Sequence, residues 1–414
     1  MITADVNMKT WAVVVFIVLS TAGFYSPGHT ESIADADWEA VVATAKGQTV
    51  DWAMWGGSPA VNSYVNGFVA GQLKERYGIT LRPVPVQDIA EVVGKLVIEK
   101  QAGKTDGGNV DLMWINGENF RTAKRNGLLF GPFADRLPNQ TLVDWSNPSV
   151  ANDFGMPVEG MESPWGSAQV VMIYDSARIS EPPRSVGSLL DWIRSHPGRF
   201  AYPAPPDFTG SVFVRHLFYH VSGSVDRWQG GGTGAEFDAA AEATYRLLKE
   251  IEPYLWRKGS TYPESPVRLN TLFADGEIDF SFSYHQAEAS RNIVDGLFPE
   301  TVRTYVFDEG TIANTHFVAI PFNAGDMAGA MVVADFLLSP EAQLEKAKPE
   351  VWGDFPAIDT SRLDADWRNR FETLPRGIAT LSDRELQSRQ LPEPPSDILI
   401  RLEKGWETHV LKGR

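Results

Sequence analysis

The chain has 414 residues and a formal net charge of −16, which argues against nucleic acid and anionic membrane surfaces as partners. It contains no cysteine, so thiolate catalysis, disulfide frameworks and cysteine-ligated metals are excluded. Without its N-terminal leader, the chain would still be long enough for two domains.

The N-terminus has the pattern of a secretory signal. Residues 11–24, "WAVVVFIVLSTAGF", form an apolar run with the length of a signal-peptide core, too short for a comfortable membrane span. Ser20 and Ala22 have the spacing of a cleavage site, so we expect a cleaved signal peptide over residues 1–22 and export to the periplasm. A start at Met8 gives a more usual signal than the first methionine, and a buried or membrane-anchoring N-terminal helix is the alternative.

The first half of the chain alternates between strand and helix patterns. Residues 49–55 alternate as a strand, and Ser58-Pro59 opens a helix as its cap and first residue. Gly78 ends that helix. Further elements are a strand over 79–86, placed at a sheet edge by its prolines, a helix over 88–104 and a strand over 109–115. This order predicts a parallel α/β unit with right-handed crossovers.

The strand predicted over 166–175 is long enough to leave one domain and enter a second. The elements that follow are helices over 185–198, from Ser211 and over 235–255, a strand over 277–284, a second crossing at 316–321, a helix over 328–347 and a polar, largely helical tail after 350. The expected lobes are 48–168 plus 286–322, and 169–285 plus 323–414 with a C-terminal helical segment. "LPEPPS" (391–396) is a local break.

Enzyme signatures are missing from the sequence. It contains no nucleophile elbow, zinc-protease motif, P-loop or dinucleotide fingerprint. His216 and His220 have the spacing at which two imidazoles on a helix could share a metal, with His285 or His316 as a third ligand. Ordinary histidines on one helical face are the simpler interpretation, so no cofactor and no metal are predicted. An exported hydrolase or lyase on a bilobal scaffold is the enzymatic alternative to the binding function that the following residues favour.

Several loops at predicted strand ends place an aromatic residue beside small polar residues, as in a binding cleft. The candidate ligand-binding residues are Trp55, Gly57, Ser58, Trp114, Asn116, Trp165, Tyr202, Asp207, Thr209, Ser211, Tyr284 and Thr315. The aromatic rings are expected to stack on a solute. The hydroxyls of Ser58, Thr209 and Ser211 are expected to donate hydrogen bonds, and Asp207 to pair with a cationic or N–H group.

The charge of the solute stays open at this level. Aromatic rings together with Asp207 favour an organic cation or an N-heterocycle. Two helix N-termini, at Ser58-Pro59 and at 209–211, favour an anionic group. A zwitterion or a phosphorylated heterocycle would satisfy both requirements.

Five segments are distinctive in combination: "MWGGSPAVNSYVNGFVAGQLKERYGI", "DLMWINGENFRTAKRNGLL", "PPDFTGSVFVRHLFYHVSG", "TLFADGEIDFSFSYHQAEA" and "GTIANTHFVAIPFNAGDMAGAMVVADFLLSPEAQ". Together they resemble the YnjB-type periplasmic solute-binding proteins of ABC importers. The resemblance implies an α/β, two-lobed type II periplasmic binding protein fold with a hinge and an interlobe cleft. It also implies a monomeric receptor that delivers a small solute to a membrane permease driven by a cytoplasmic ATPase.

Two points qualify what the resemblance implies. The tyrosine pairs that bind iron in related proteins have no clear counterpart in this sequence, which argues against a ferric ligand. A protein that presents its closed form to a sensory receptor, instead of a permease, is a further alternative.

Overall fold

The computed structural model describes Ile33 and residues 35–412, which fold into two lobes. The signal peptide predicted over residues 1–22 lies outside the described residues. None of the helices within the described part of the chain combines the length and the apolar character needed to cross a membrane.

Eleven strands form the sheets of the described chain. In chain order they are β1 (Thr49–Trp55), β2 (Thr80–Val86), β3 (Leu112–Ile115), β4 (Asn152–Asp153), β5 (Met156–Pro157), β6 (Ser163–Gln169), β7 (Val171–Asp175), β8 (Phe280–Ser283), β9 (Val302–Tyr305), β10 (Thr311–Ala319) and β11 (Gln390–Pro392).

The helices surround these sheets. They are α1 (Trp38–Ala45), α2 (Pro59–Ser63), α3 (Ala70–Tyr77), α4 (Ala90–Gln101), α5 (Gly117–Arg125), α6 (Pro148–Ala151), α7 (Val186–Ser195), α8 (Phe208–Ser222), α9 (Gly234–Ile251), α10 (Pro266–Ala274), α11 (Glu288–Val294), α12 (Met327–Leu337), α13 (Pro340–Ala347), α14 (Ala365–Glu372), α15 (Asp383–Gln387) and α16 (Ser396–Trp406). A π-helical segment, Tyr64–Val69, joins α2 to α3.

The first lobe is built on the larger sheet, in which strands follow the order β11-β10-β3-β1-β2 and β6 pairs with β10. β1 runs parallel to both β2 and β3, as the strand-helix-strand pattern predicts. β2 lies at the edge because its two prolines cannot donate ladder hydrogen bonds on both sides. Ser58 caps α2, and Gly78 ends α3 with φ of 70°, also as predicted.

The second lobe is built on a smaller antiparallel sheet in the order β8-β7-β9. Only Val170 separates β6 from β7, so the chain passes directly from the larger sheet to the smaller one. The predicted crossing within 166–175 is therefore confirmed. β10 carries the chain back, and it pairs antiparallel with both β3 and β6.

Two of the expected lobe boundaries need correction. β9 pairs with β7, so 302–305 belongs to the second lobe although the range 286–322 was assigned to the first. The helix predicted over 328–347 belongs to the first lobe, because α12 packs against α1 and β1 in that core. It divides at Ser339-Pro340 into α12 and α13, because Ser339 caps a new helix. α12 is buried on every face, so its sequence has no amphipathic pattern that would indicate which sheet it packs against.

The C-terminal segment connects both lobes. α16 packs against α5 of the first lobe and against α8 and α9 of the second. Before it, the tail is less helical than predicted: α14 and α15 are short, and β11 extends the larger sheet beside β10. The segment between β11 and α16 therefore runs from the sheet to the junction of the lobes.

Candidate functional site

The loop after β1 is held by its own side chains. Trp55 is 49% exposed, and its indole folds over Gly57, where a Cβ would lie only 2.3 Å from the ring. Ser58 Oγ accepts a hydrogen bond of 3.4 Å from a backbone N–H in the first turn of α2. Asn62 Nδ2 donates to the carbonyl of Gly56 at 2.8 Å. Gly57 is thus required by the neighbouring indole, and Trp55 provides the exposed apolar face.

The end of β3 contributes Trp114 and Asn116. The partly buried Trp114 ring meets Trp165 edge-on at 4.9 Å and His316 at 5.2 Å. Asn116 Nδ2 donates to the backbone carbonyl of Thr315 at 2.6 Å, which ties the strand ends together. The Thr315 hydroxyl donates to a carbonyl of α6 at 2.7 Å and is nearly buried, so it stabilises the loop.

Trp114 belongs to a larger group of rings that we call the tryptophan–histidine cluster. Its members are Trp114, Trp165, Trp352, His285 and His316. The imidazole of His316 stacks on Trp352 with centroids 6.0 Å apart and planes inclined by 21°. His285 and His316 are partly buried, which leaves polar edges within an apolar wall. The histidines and Trp352 were not predicted as site residues.

A buried ion pair supports this cluster from below. Lys346 Nζ lies 2.8 Å from Asp354 Oδ2 and donates to the carbonyl of Phe355 at 2.6 Å. Burial alone would raise the pKa of Asp354, but Lys346 and His316 outweigh burial and lower that pKa. Gly166 makes the approach possible, because a Cβ there would lie 2.2 Å from the carboxylate. The pair therefore fixes the segment that carries Trp352.

The N-terminus of α8 carries the candidate residues Asp207, Thr209 and Ser211. Asp207 Oδ1 caps this helix by accepting from the backbone N–H of Gly210 at 2.9 Å, and burial raises the pKa of Asp207. Thr209 and Ser211 are nearly buried. Phe208 is 44% exposed and presents its ring instead. The exposed group is thus an aromatic ring that the sequence analysis did not select.

A second group, which we call the arginine cluster, consists of Arg215, Tyr284, Asn314 and Glu393. The Arg215 side chain is fully buried, and its Nε lies 3.0 Å from Glu393 Oε2. Its Nη2 donates to the Tyr284 hydroxyl at 2.6 Å, and that hydroxyl donates to Glu393 Oε1. Asn314 Nδ2 donates to the same oxygen at 3.1 Å. Ser211 Oγ accepts from Arg215 Nη1 at 2.8 Å, so this hydroxyl is committed inside the lobe.

Aromatic rings cover the arginine cluster from both lobes. The guanidinium carbon of Arg215 lies 5.2 Å from the Phe208 ring centroid and 6.0 Å from that of Phe154. Phe154 comes from the β4–β5 turn of the first lobe and lies 6.1 Å from Phe208. Phe208 in turn stacks on Tyr284 at 4.8 Å. The lobes therefore meet through rings at this point.

Carboxylates outnumber the cation in the arginine cluster and its surroundings. Burial raises the pKa of Glu393, and the guanidinium of Arg215 opposes this rise. Burial also raises the pKa of Glu118 on α5 and of Glu403 on α16, both of which feel the charge of Arg215. Burial alone would lower the pKa of the Arg215 guanidinium. The surrounding negative charge, chiefly that of Glu393, outweighs burial, so the pKa is raised.

Two of the predicted contact residues lie in the core. Tyr202 is fully buried, and its hydroxyl accepts from Trp406 Nε1 at 3.1 Å. Trp165 is also fully buried, with its ring 5.1 Å from that of Trp52. In the sequence both resemble loop aromatics, because Tyr202 is followed by proline and Trp165 by glycine. The structure corrects this, since large rings at strand ends also fill cores.

His216 does not share a metal with His220. Its Nδ1 donates to the carbonyl of Val212 at 2.8 Å, and its Nε2 accepts from the N–H of Ile312 at 3.1 Å. Both ring nitrogens are therefore occupied. Within Ile33 and residues 35–412, no group of three or more histidine, aspartate or glutamate side chains is placed to hold a metal ion.

The buried His216 predicts acid sensitivity. Burial lowers its pKa from 6.5 to about 4, so the folded protein favours the neutral ring. Its stabilising contribution is complete above pH 6.5 and is lost as the pH falls towards 4, about 2–3 kcal/mol by pH 4.5. Urea unfolding at pH 7 and pH 4.5 should show that His216→Gln loses less stability than the wild type by this amount. The exposed His220→Gln should match the wild type, and equal pH dependence of all three proteins would contradict the prediction.

Known proteins with similar sequences and structures complete the description of the site. The profile of the family described as "Bacterial extracellular solute-binding protein" matches residues 69–373. Protein YnjB of Escherichia coli (strain K12) is 38% identical over 372 residues, which cover 90% of this chain and 93% of YnjB.

Solved structures resemble the chain in fold. An ABC transporter from Clostridium perfringens ATCC 13124 has a TM-score of 0.62 at 13% identity, over 88% of this chain and 99% of that one. The spermidine/putrescine substrate-binding protein PotD from Streptococcus pneumoniae strain Canada MDR_19A has a TM-score of 0.59 at 15% identity, over 86% and 99% of the chains. The chain has the type II periplasmic binding protein fold, as the sequence resemblance implies.

Proposed function

The chain belongs to the family of bacterial extracellular solute-binding proteins, and we propose that it is the receptor subunit of an ABC importer. It captures a small solute between its lobes in the periplasm and delivers it, as a monomer, to a membrane permease coupled to an ATPase. Binding without turnover is its role in this proposal, because the family is one of binding proteins.

One observation carries the proposal: aromatic and polar side chains from both lobes converge where the chain crosses between the sheets. Phe154 of the first lobe meets Phe208 of the second at this junction. Gln286 Nε2, just after β8, donates to the carbonyl of Ser167 in β6 at 3.3 Å. A cleft between two lobes with such walls suits a polar solute that carries an apolar or planar part.

Hinge closure explains how such a receptor would retain its solute. The crossing at Val170 and the return over 306–310, between β9 and β10, are short segments between the two sheets. A solute that contacts both lobes stabilises the closed arrangement by its extra contacts there. The proposed contacts are Trp55, Ser58, Trp114, Asn116, Asp207, Thr209 and Tyr284, to which the structure adds Phe208, His285 and His316.

Replacing Trp55 with alanine should weaken solute binding without unfolding the protein. The ring is 49% exposed, so we expect the free energy of unfolding to change by less than about 1 kcal/mol. Loss of a stacking face should lower the affinity about ten-fold or more. Native mass spectrometry of freshly purified protein would identify the retained solute, and tryptophan fluorescence would then measure its affinity.

A matched control is Trp367→Ala on α14, where the indole packs against Arg370 at 4.1 Å. Equal solute affinity of the Trp55 and Trp367 variants would contradict the proposed wall. Reconstitution with a permease and its ATPase tests the function itself, because a receptor should stimulate ATP hydrolysis only when it is loaded with solute. Conversion of the retained solute by the purified protein would instead indicate an enzyme.

A further inference from the structure

Building on the proposed function, we propose that Arg215, Tyr284 and Asn314 form a carboxylate-binding subsite of the cleft. In this structure the chain's own Glu393 fills the subsite. The solute carries a carboxylate that replaces Glu393 when it binds.

The donors of the subsite converge on one carboxylate. Arg215 Nη2 donates to Glu393 Oε1 at 3.5 Å, and Asn314 Nδ2 donates to the same oxygen at 3.1 Å. Arg215 Nε lies 3.0 Å from Glu393 Oε2 as an ion-pair contact. The Tyr284 hydroxyl accepts from the guanidinium and donates to the carboxylate. Charge-assisted donors in this arrangement recognise any carboxylate, because nothing in it depends on the rest of the glutamate side chain.

Glu393 is delivered by a segment that we call the proline strap, residues 391–396 ("LPEPPS"). At one end β11 pairs with β10, and the carbonyl of Pro392 accepts from the Tyr219 hydroxyl at 3.0 Å. At the other end, Ser396 donates its backbone N–H to the carbonyl of Phe154 in the first lobe at 3.2 Å. Three prolines stiffen the strap and remove backbone donors that would otherwise attach it. The strap is therefore a pre-shaped arm held by few hydrogen bonds.

The position of the pair makes it accessible when the lobes separate. Arg215 is covered on the first-lobe side by Phe154 and on its own side by Phe208. Opening of the cleft would withdraw Phe154, together with the end of the strap that is attached to it. A buried ion pair contributes little net stability compared with apolar packing. Stability alone therefore does not explain why Arg215 and Glu393 are buried at the junction of the lobes.

The subsite continues into the tryptophan–histidine cluster. Asn314 and His316 are two residues apart on β10, so their side chains point to the same face about 7 Å apart. Tyr284 and His285 are neighbours in the chain after β8. A solute anchored through its carboxylate would place its remaining atoms against these imidazoles and Trp114. A planar or aromatic carboxylate fits this arrangement.

Exchange of one carboxylate for another also keeps the local charge balanced. Glu118 and Glu403 also interact with the charge of Arg215, while burial raises the pKa of both carboxyl groups. An anion added beside Glu393 would be repelled, whereas an anion that replaces Glu393 leaves the net charge unchanged.

The test uses acetate as the probe of the subsite. Glu393→Ala removes the resident carboxylate and leaves space beside Arg215, so acetate should bind this variant about ten-fold or more tighter than it binds the wild type, where the tethered Glu393 competes. Binding is measured by tryptophan fluorescence and by the rise in melting temperature with acetate concentration. Uncharged acetamide should have no effect on either signal.

Two further variants separate the roles of space and charge. Glu393→Gln fills the same volume, and the double variant Arg215→Met/Glu393→Ala has the space without the cation, so neither should bind acetate. Equal acetate affinity in wild type, Glu393→Ala and the double variant would overturn the subsite.

Benzoate decides whether the subsite is part of the cleft. If it opens towards the tryptophan–histidine cluster, Glu393→Ala should bind benzoate more tightly than acetate. Exclusion of benzoate while acetate binds would overturn the proposal, because the space would then be a closed structural cavity. If the carboxylate tests fail while the wild type still retains a solute, only the subsite is refuted. A protein that retains no solute and does not stimulate a permease–ATPase would refute the proposed function instead.

Discussion

Replacing Arg215 with methionine is expected to lower the free energy of unfolding by about 3–5 kcal/mol, because the change leaves Glu393 buried without its cation. Arg215 is fully buried, and Glu393 is almost completely buried beside it. Denaturant unfolding at pH 7 measures the loss. The double variant Arg215→Met/Glu393→Gln should recover most of it, since glutamine still accepts from Tyr284 and Asn314 without a charge.

The same variant should depend on pH in a defined direction. Burial raises the pKa of Glu393, and the charge of Arg215 is the main influence that opposes this rise. Removing Arg215 should therefore raise the pKa of Glu393 further. A carboxyl whose pKa is higher in the folded state favours folding when protonated, so the deficit of Arg215→Met should shrink as the pH falls below that pKa. Wild-type stability of Arg215→Met at pH 7, or a double variant no more stable than the single one, would contradict the prediction.

Replacing Lys346 with methionine should cost a similar amount, about 3–5 kcal/mol, by removing the partner of Asp354. Both side chains are almost completely buried, and Lys346 also satisfies the carbonyl of Phe355. Only His316, 3.5 Å from Asp354, would remain to balance the carboxylate, and only when protonated. We therefore expect both a loss of stability and a change in the fluorescence of Trp352, whose ring lies 5.7 Å from Lys346 Nζ.

The control for this prediction lies two residues away. Lys348 pairs with Glu345 at 2.6 Å, and both side chains are partly exposed to solvent. Lys348→Met should therefore change the free energy of unfolding by less than about 1 kcal/mol. Equal losses for the two lysine variants would show that burial of the Lys346–Asp354 pair is not the cause. Lys346→Met/Asp354→Asn should be more stable than Lys346→Met alone.

Local patterns predicted much of the first lobe. The alternation over 49–55, the cap at Ser58-Pro59 and the stop at Gly78 involve interactions between residues only a few positions apart. Such interactions do not depend on distant parts of the chain, which is why the structure confirms them. The strand pattern over 166–175 also predicted the passage from one lobe to the other, and the family resemblance implied the same two-lobed arrangement.

The hydrophobic pattern did not predict the position of elements that have no amphipathic face, or of residues whose contacts are distant in the sequence. α12 is buried on all sides, so its residues do not indicate which sheet it covers, and it was assigned to the wrong lobe. Tyr202 and Trp165 looked like loop aromatics but lie in the core, because the same residue types serve both roles. Whether such a ring is exposed to solvent depends on the tertiary packing around it and not on the residue type.

The candidate site shows the same division. Trp55 and Trp114 are predicted from the sequence because they lie at the ends of predicted strands. Arg215 and Glu393 are not, since they meet across 178 residues. The only sequence signal for Glu393 was its place between prolines, which was interpreted as a break.

By itself, the sequence determined where strands and helices begin and which loops could face a cleft, since capping and periodicity act over a few residues. Only the tertiary structure decided which buried charges compensate one another. An arginine or a glutamate can leave water only when packing brings its partner within hydrogen-bond distance, and that distance is set by the whole fold.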